Sequence, residues 1–174
     1  MGTLNKSENT IFRKGPVIFV VTGTQAPFDR LLSIIDKWAV NQDAYTIIAQ
    51  TANSELSFKN MTCFDYFEPD VFNEYFYNAD LIIGHAGMGT IIKALESEKK
   101  LVVFPRLVKY NEHRNDHQHH TAFGFEKLGL INVAYNENDL LRYLNNIIDI
   151  AVKQKIDKNA EEKLLEKISN FINQ

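Results

Sequence analysis

The sequence predicts an α/β fold, a Rossmann-like parallel sheet with helices on both faces. Three observations carry that prediction. Short apolar runs alternate with helical periodicities along almost the whole chain, the pattern of successive βαβ units. The runs are apolar without interruption, as strands buried on both faces are. The 174 residues, 45% of them hydrophobic, suit one domain with a sizeable core.

In chain order, VIFVV (17–21) is a buried strand, followed by a helix with Leu31, Ile34, Ile35 and Trp38 on one face. YTIIAQ (45–50) is a second strand and MTCF (61–64) a short third. Pro69 marks the start of a helix running to about Asn78, where the missing N–H of proline costs little. LIIGH (81–85) and LVVFP (101–105) are strands flanking a helix that begins in the glycine turn HAGMGT. A helix over 115–127 stops before Gly129, and residues 131–134 form a last short strand. Two amphipathic helices close the chain over residues 137–174; the second has Leu164, Leu165, Ile168, Phe171 and Ile172 at helical spacing.

Composition narrows the function. A net charge of −3 leaves no excess of Lys and Arg to neutralise a phosphate backbone, so no nucleic-acid partner is expected. The single cysteine, Cys63, excludes an internal disulfide, fits a reducing compartment and is expected in the core. Residues 1–15 are polar, form a flexible N-terminal segment and lack a signal-peptide core. The apolar run 17–21 is far shorter than the roughly 20 residues of a membrane span. The chain is therefore expected to be cytoplasmic and to reach a membrane only through a partner or a surface patch.

Doubly wound sheets bind ligands beyond the carboxyl ends of their strands, which selects three loops. TGTQAPFDRLL (22–32) offers Gly23, Thr24 and Gln25, but neither the GxGxxG fingerprint nor a Walker loop. HAGMGT (85–90) suits a phosphate: Gly87 and Gly89 carry no side chain to block approach, the first helical turn presents N–H groups, and Thr90 adds a hydroxyl. PRLVKYNEHRNDHQHH (105–120) is the most polar and holds four of the five histidines. His113, His117 and His120 would share one face if the helix began early enough, a pattern open to a transition metal. No HExxH or second carboxylate cluster completes a metal motif, however, and Asp116, His117 and Gln118 instead suit the hydroxyls of a sugar.

The spaced combination GTQxPFDRLL, ADLIIGHAGMGT and PRxxKYNEHRNDHQ resembles the C-terminal, nucleotide-sugar-binding half of glycosyltransferase family 28 enzymes over about residues 16–150. Single-domain members of that family include the catalytic subunit of the two-subunit N-acetylglucosaminyltransferase acting on dolichol-linked sugar, and bacterial exopolysaccharide and capsule counterparts. The resemblance implies half of a GT-B fold, with residues 16–174 as one nucleotide-sugar-binding domain. It places Gly23, Thr24 and Gln25 beside the donor diphosphate, and His85, Gly87, Met88, Gly89 and Thr90 in the H-x-G-x-G-[ST] loop that cradles it. His117 and Gln118 then meet the donor sugar, with Asp116 adjacent, and the uridine lies around residues 104–107, including Arg106. His85 is the one catalytic candidate in the chain. Where many relatives have an acidic residue for the ribose, this chain has Lys93, which cannot accept those hydrogen bonds; either Glu96, one turn on, substitutes, or donor binding differs or is weak.

The function so implied is inverting transfer of a hexose or N-acetylhexosamine from a UDP-sugar to a lipid-linked sugar acceptor, without a metal or other cofactor. The acceptor site and general base would belong to a membrane-anchored partner subunit, which would recruit this chain to the inner face of the membrane. Alone, the uncovered surface would favour a homodimer. Two other readings stay open: a non-catalytic enhancer of a partner transferase, favoured by Lys93, and a metal-dependent hydrolase built on residues 113–120.

Overall fold

The computed structural model describes residues 15–153. The polar segment before them and the amphipathic helix expected within 154–174 lie outside the described residues. The elements are β1 (Val17–Val21), α1 (Asp29–Ala39), β2 (Thr46–Gln50), β3 (Thr62–Phe64), α2 (Pro69–Asn78), β4 (Leu81–Gly84), α3 (Met88–Glu96), β5 (Leu101–Val103), α4 (His117–Lys127), β6 (Asn132–Val133) and α5 (Glu137–Asn145). Short 3-10 turns lie at Val108–Tyr110 and Ile147–Asp149. The strands form the single parallel sheet the sequence predicts, six-stranded and in the order β3-β2-β1-β4-β5-β6. β1 pairs with β2, β2 with β3 and β5 with β6, all parallel. Parallel pairing needs a covering crossover between strands, which explains why β1, β4 and β5 are buried at every residue.

The chain divides into two compact units between Ile83 and Gly84. In the first, Leu31, Leu32, Ile34 and Ile35 of α1 are buried, while Trp38 sits half-buried at the margin against Tyr45. Phe19 of β1 anchors an aromatic cluster with Phe67, Phe72 and Tyr75 at ring separations of 5.5, 5.4 and 5.9 Å. The Tyr75 hydroxyl is buried in that cluster with no hydrogen-bond partner. An unmet buried hydroxyl costs about 1–3 kcal/mol. Tyr75→Phe is therefore expected to stabilise the protein by about 1 kcal/mol, a rise of roughly 2–4 °C in Tm. A Tm equal to or below wild type in differential scanning calorimetry would contradict this.

Cys63 departs from the expected core position, because β3 is an edge strand and leaves it half-buried. Burial, with Asp36 and Asp65 nearby, pushes its thiol up to about 11, so the unreactive thiol form prevails at neutral pH. The turn after β1 has Gly23 at φ +83°, a left-handed conformation that favours glycine, with Thr24 and Gln25 exposed beyond it. Thr22 anchors this turn by donating its hydroxyl to the Gln50 carbonyl at 2.9 Å.

In the second unit, Gly129 ends α4 as predicted. It adopts φ +72°, its N–H donates to the Glu126 carbonyl at 2.8 Å, and the Leu130 N–H donates to the Phe125 carbonyl at 3.0 Å. Those two bonds make a Schellman stop and satisfy carbonyls the helix cannot. At the other end α4 begins at His117, two residues later than the sequence suggests. The Asp116 carboxylate does not cap the helix but accepts the Val108 N–H at 2.9 Å, holding the 3-10 turn. α5 is capped by Asn136, whose side chain accepts the Asp139 N–H at 3.0 Å. Among the described residues no helix is long and apolar enough to cross a membrane.

Candidate functional site

The carboxyl end of β4 runs through His85, Ala86 and Gly87 into α3, and the two glycines of this turn have different reasons to be there. Gly87, the residue before the helix, has φ −80° and ψ 130°, which any residue adopts. A Cβ on it would lie 2.2 Å from Cε1 and 2.8 Å from Nε2 of His85. Glycine is required because the imidazole lies against the backbone. The Ser, Thr, Asp or Asn that ordinarily caps a helix has no room, and α3 starts without a side-chain cap.

Gly89 has neither constraint. Its φ is not positive, and a Cβ built on it meets nothing within 4 Å. In a helix glycine is about 0.5–1 kcal/mol worse than alanine, so this position gives up stability without an internal cause. The first α-helical bond of α3 runs from the Ile91 N–H to the Gly87 carbonyl at 3.1 Å. The amides of Met88, Gly89 and Thr90 precede it and belong to the donors that a helix start leaves for an outside partner. Exposed Gly89 opens a path to them. The turn can thus receive an anion at backbone distance, aided by the positive end of the helix dipole.

Gln118 ties this turn to the segment after β5. Its side chain is buried; Oε1 accepts the N–H of Ala86 and the N–H of Arg106, each at 3.2 Å, and Nε2 lies 3.3 Å from Nδ1 of His85. Both lone pairs of the amide oxygen are occupied, which leaves Gln118 one N–H to offer a ligand. Arg106 is 4% exposed and its Nη1 donates to the Glu112 carbonyl at 3.4 Å, while the Glu112 carboxylate accepts the Leu107 N–H at 2.9 Å. Burial first, then the charges of Arg106 and His113, hold the His85 imidazole down to about 4. It is neutral at pH 7.

The structure thus brings His85, Ala86, Gly87, Arg106 and Gln118 together, with Met88, Gly89 and Thr90 following in the same turn. Gly23, Thr24 and Gln25 belong to the first unit. Asp116 supports the 3-10 turn, and His117 is exposed at the start of α4. The shared face expected of His113, His117 and His120 does not form, because His113 precedes α4. The His113 and His117 rings instead meet edge to face at 4.4 Å, and the Asn115 side chain engages Nδ1 of His117. Among the described residues no three His, Cys, Asp or Glu side chains group as metal ligands do. Lys93 is half-buried on α3, and burial lowers its ammonium below the usual range. Glu96 is exposed at the last residue of α3, roughly 9 Å along the helix axis beyond Thr90. Sequence reading missed the roles of Ala86 and Glu112, whose contacts involve a backbone N–H and a carboxylate with no motif signature.

The pattern of the glycosyltransferase family 28 C-terminal domain matches residues 17–174. The UDP-N-acetylglucosamine transferase subunit ALG13 of Candida albicans is 32% identical over 101 residues, which are 58% of this chain and 30% of that protein's length. A solution NMR structure of ALG13 superposes with a TM-score of 0.61 at 20% identity, covering 89% of this chain and 98% of that one. Os79 from O. sativa, a crystal structure in complex with UDP, gives a TM-score of 0.56 at 16% identity over 92% of this chain and 36% of its own. The two structural likenesses establish the fold.

Proposed function

Because this chain belongs to the glycosyltransferase family 28 C-terminal domain family, we propose that it is the donor-binding subunit of a heteromeric inverting glycosyltransferase. It would take a hexose or N-acetylhexosamine from a UDP-sugar and pass it to a lipid-linked sugar acceptor. The name of its Candida relative, a UDP-N-acetylglucosamine transferase subunit, favours N-acetylglucosamine and an enzyme of more than one subunit. The observation that carries the reading is Gly89: an open, helix-weakening glycine in the first turn of α3, a helix start without a side-chain cap, suits backbone contact with a diphosphate.

In the reaction, an acceptor hydroxyl oxygen attacks the anomeric carbon as the bond from that carbon to the diphosphate oxygen breaks. Negative charge collects on the departing UDP, where the amides of Met88, Gly89 and Thr90 and the helix dipole stabilise it. The acceptor's proton passes to a base on the partner subunit. His117 and the remaining N–H of Gln118 are the groups proposed to meet the donor sugar, and Arg106 adds positive charge behind them. Recruitment to the inner membrane face would come through that partner.

The test is transfer from a panel of radiolabelled UDP-sugars to lipid-linked sugar acceptors, with the chain co-expressed with a membrane-anchored subunit. Gly89→Leu is expected to fold normally and to cut transfer by at least about tenfold, or 1.4 kcal/mol. Full transfer by Gly89→Leu would overturn the reading and favour a non-catalytic enhancer.

A further inference from the structure

We propose that Gln118 is a positioning residue that fixes the tautomer of His85, so that His85 serves the site as an Nε2–H donor and not as a base. The inference starts from the carboxamide's orientation. Oε1 takes two backbone N–H groups, from Ala86 and Arg106, on segments that precede and follow β5. Neither amide can act as an acceptor, so the oxygen must face them and the NH2 group must face His85. An NH2 group has only protons to give, and the ring nitrogen 3.3 Å away, Nδ1, must receive one.

A neutral imidazole with Nδ1 accepting carries its single proton on Nε2. The ring is held against Gly87, with Cε1 2.2 Å, Nε2 2.8 Å and Nδ1 3.0 Å from the point a Cβ there would occupy. With Nδ1 engaged by Gln118, the proton-bearing Nε2 is the ring nitrogen left for a ligand at the entry to α3, where the backbone amides of residues 88–90 are also donors. The backbone amides at the start of α3 and the Nε2–H are donors, and the imidazole has no free lone pair. Arg106 and His113, the charged and titratable groups that act on His85 across this contact, disfavour a second proton.

This assignment rests on the donor-site reading only for its use; the tautomer itself is a property of the unliganded chain. The experiment is long-range 1H–15N correlation NMR of the 15N-histidine-labelled full chain from pH 5 to 9, on wild type and Gln118→Glu. In wild type, the His85 pattern is expected to be that of Nε2–H with unprotonated Nδ1 throughout. Gln118→Glu keeps an oxygen for Ala86 and Arg106 but sets a second, acceptor-only oxygen before Nδ1. The proton should then move to Nδ1 once the ring is neutral at high pH. Wild-type Nδ1–H, or the same neutral tautomer in both proteins, overturns the proposal. If Gln118→Glu does not fold, the wild-type pattern alone decides: Nε2–H supports the assignment and Nδ1–H overturns it.

UDP titrated into the same wild-type sample separates the two claims. Nε2–H with UDP shifting the His85 signals supports both, whereas Nε2–H with no response to UDP keeps the tautomer and removes the donor site.

Discussion

Lowering the pH from 6.5 to 4 is expected to destabilise the protein by up to about 3 kcal/mol through His85 alone. Its imidazole is held at about 4 in the folded chain, against an ordinary value of 6.5. A folded-state value below the unfolded one means that the unfolded chain binds the proton first. The contribution is thus fully present above pH 6.5, shrinks as pH falls through that window, and is gone below about 4. Burial and the neighbouring Arg106 and His113 place the effect at this ring. His117, lowered by its own burial and by His113 and His120, drifts in the same direction, so a single profile does not isolate His85. The measurement is urea unfolding across pH 4–7 for wild type and His85→Asn. Wild type should lose up to about 3 kcal/mol more than the variant across the window. Parallel profiles would refute the assignment.

The second large effect is a contrast between two alanines in one turn. In Gly87→Ala the new methyl meets Cε1 of His85 at 2.2 Å, in a ring whose Nδ1 is held by Gln118. Overpacking of that kind costs about 1–3 kcal/mol, a fall of roughly 2–12 °C in Tm. Gly89→Ala meets nothing, and removing a helical glycine should gain about 0.5–1 kcal/mol. Adding His85→Ala to Gly87→Ala removes the clash and should recover most of the loss, a coupling that a double-mutant cycle reads directly. Equal stability of Gly87→Ala and Gly89→Ala would contradict the geometry.

How far the sequence foretold this molecule depends on the range of the interaction involved. Pro69 at the head of α2 and Gly129 past the end of α4 were legible because proline and glycine act through their own backbone geometry. The central strands β1, β4 and β5 were legible because burial on both faces leaves uninterrupted apolar runs. The start of α4 was misplaced because Asp116, a residue that ordinarily caps a helix, gives its carboxylate to Val108 eight positions back. Gly87 and Gly89 looked alike in sequence; one is dictated by a ring two residues away, the other by nothing inside the fold.

Gln118 shows the same limit at longer range. Sequence pattern offered it to a sugar but gave no sign of the two partners, 32 and 12 residues earlier, that occupy its oxygen. No periodicity or motif encodes such a contact, because it exists only once the chain returns to the end of β4. The histidines at 113, 117 and 120 are the converse case. Their spacing suggested a shared face, and a helix that begins at His117 removes it.

The central claim is that the start of α3 receives the diphosphate of a sugar nucleotide through its backbone. Isothermal titration of UDP into the purified chain, wild type and Gly89→Leu side by side, tests it most directly. Saturable binding by wild type, weakened at least about tenfold in a Gly89→Leu protein no less thermally stable than wild type, is the result expected. Equal UDP affinity of the two proteins would contradict it.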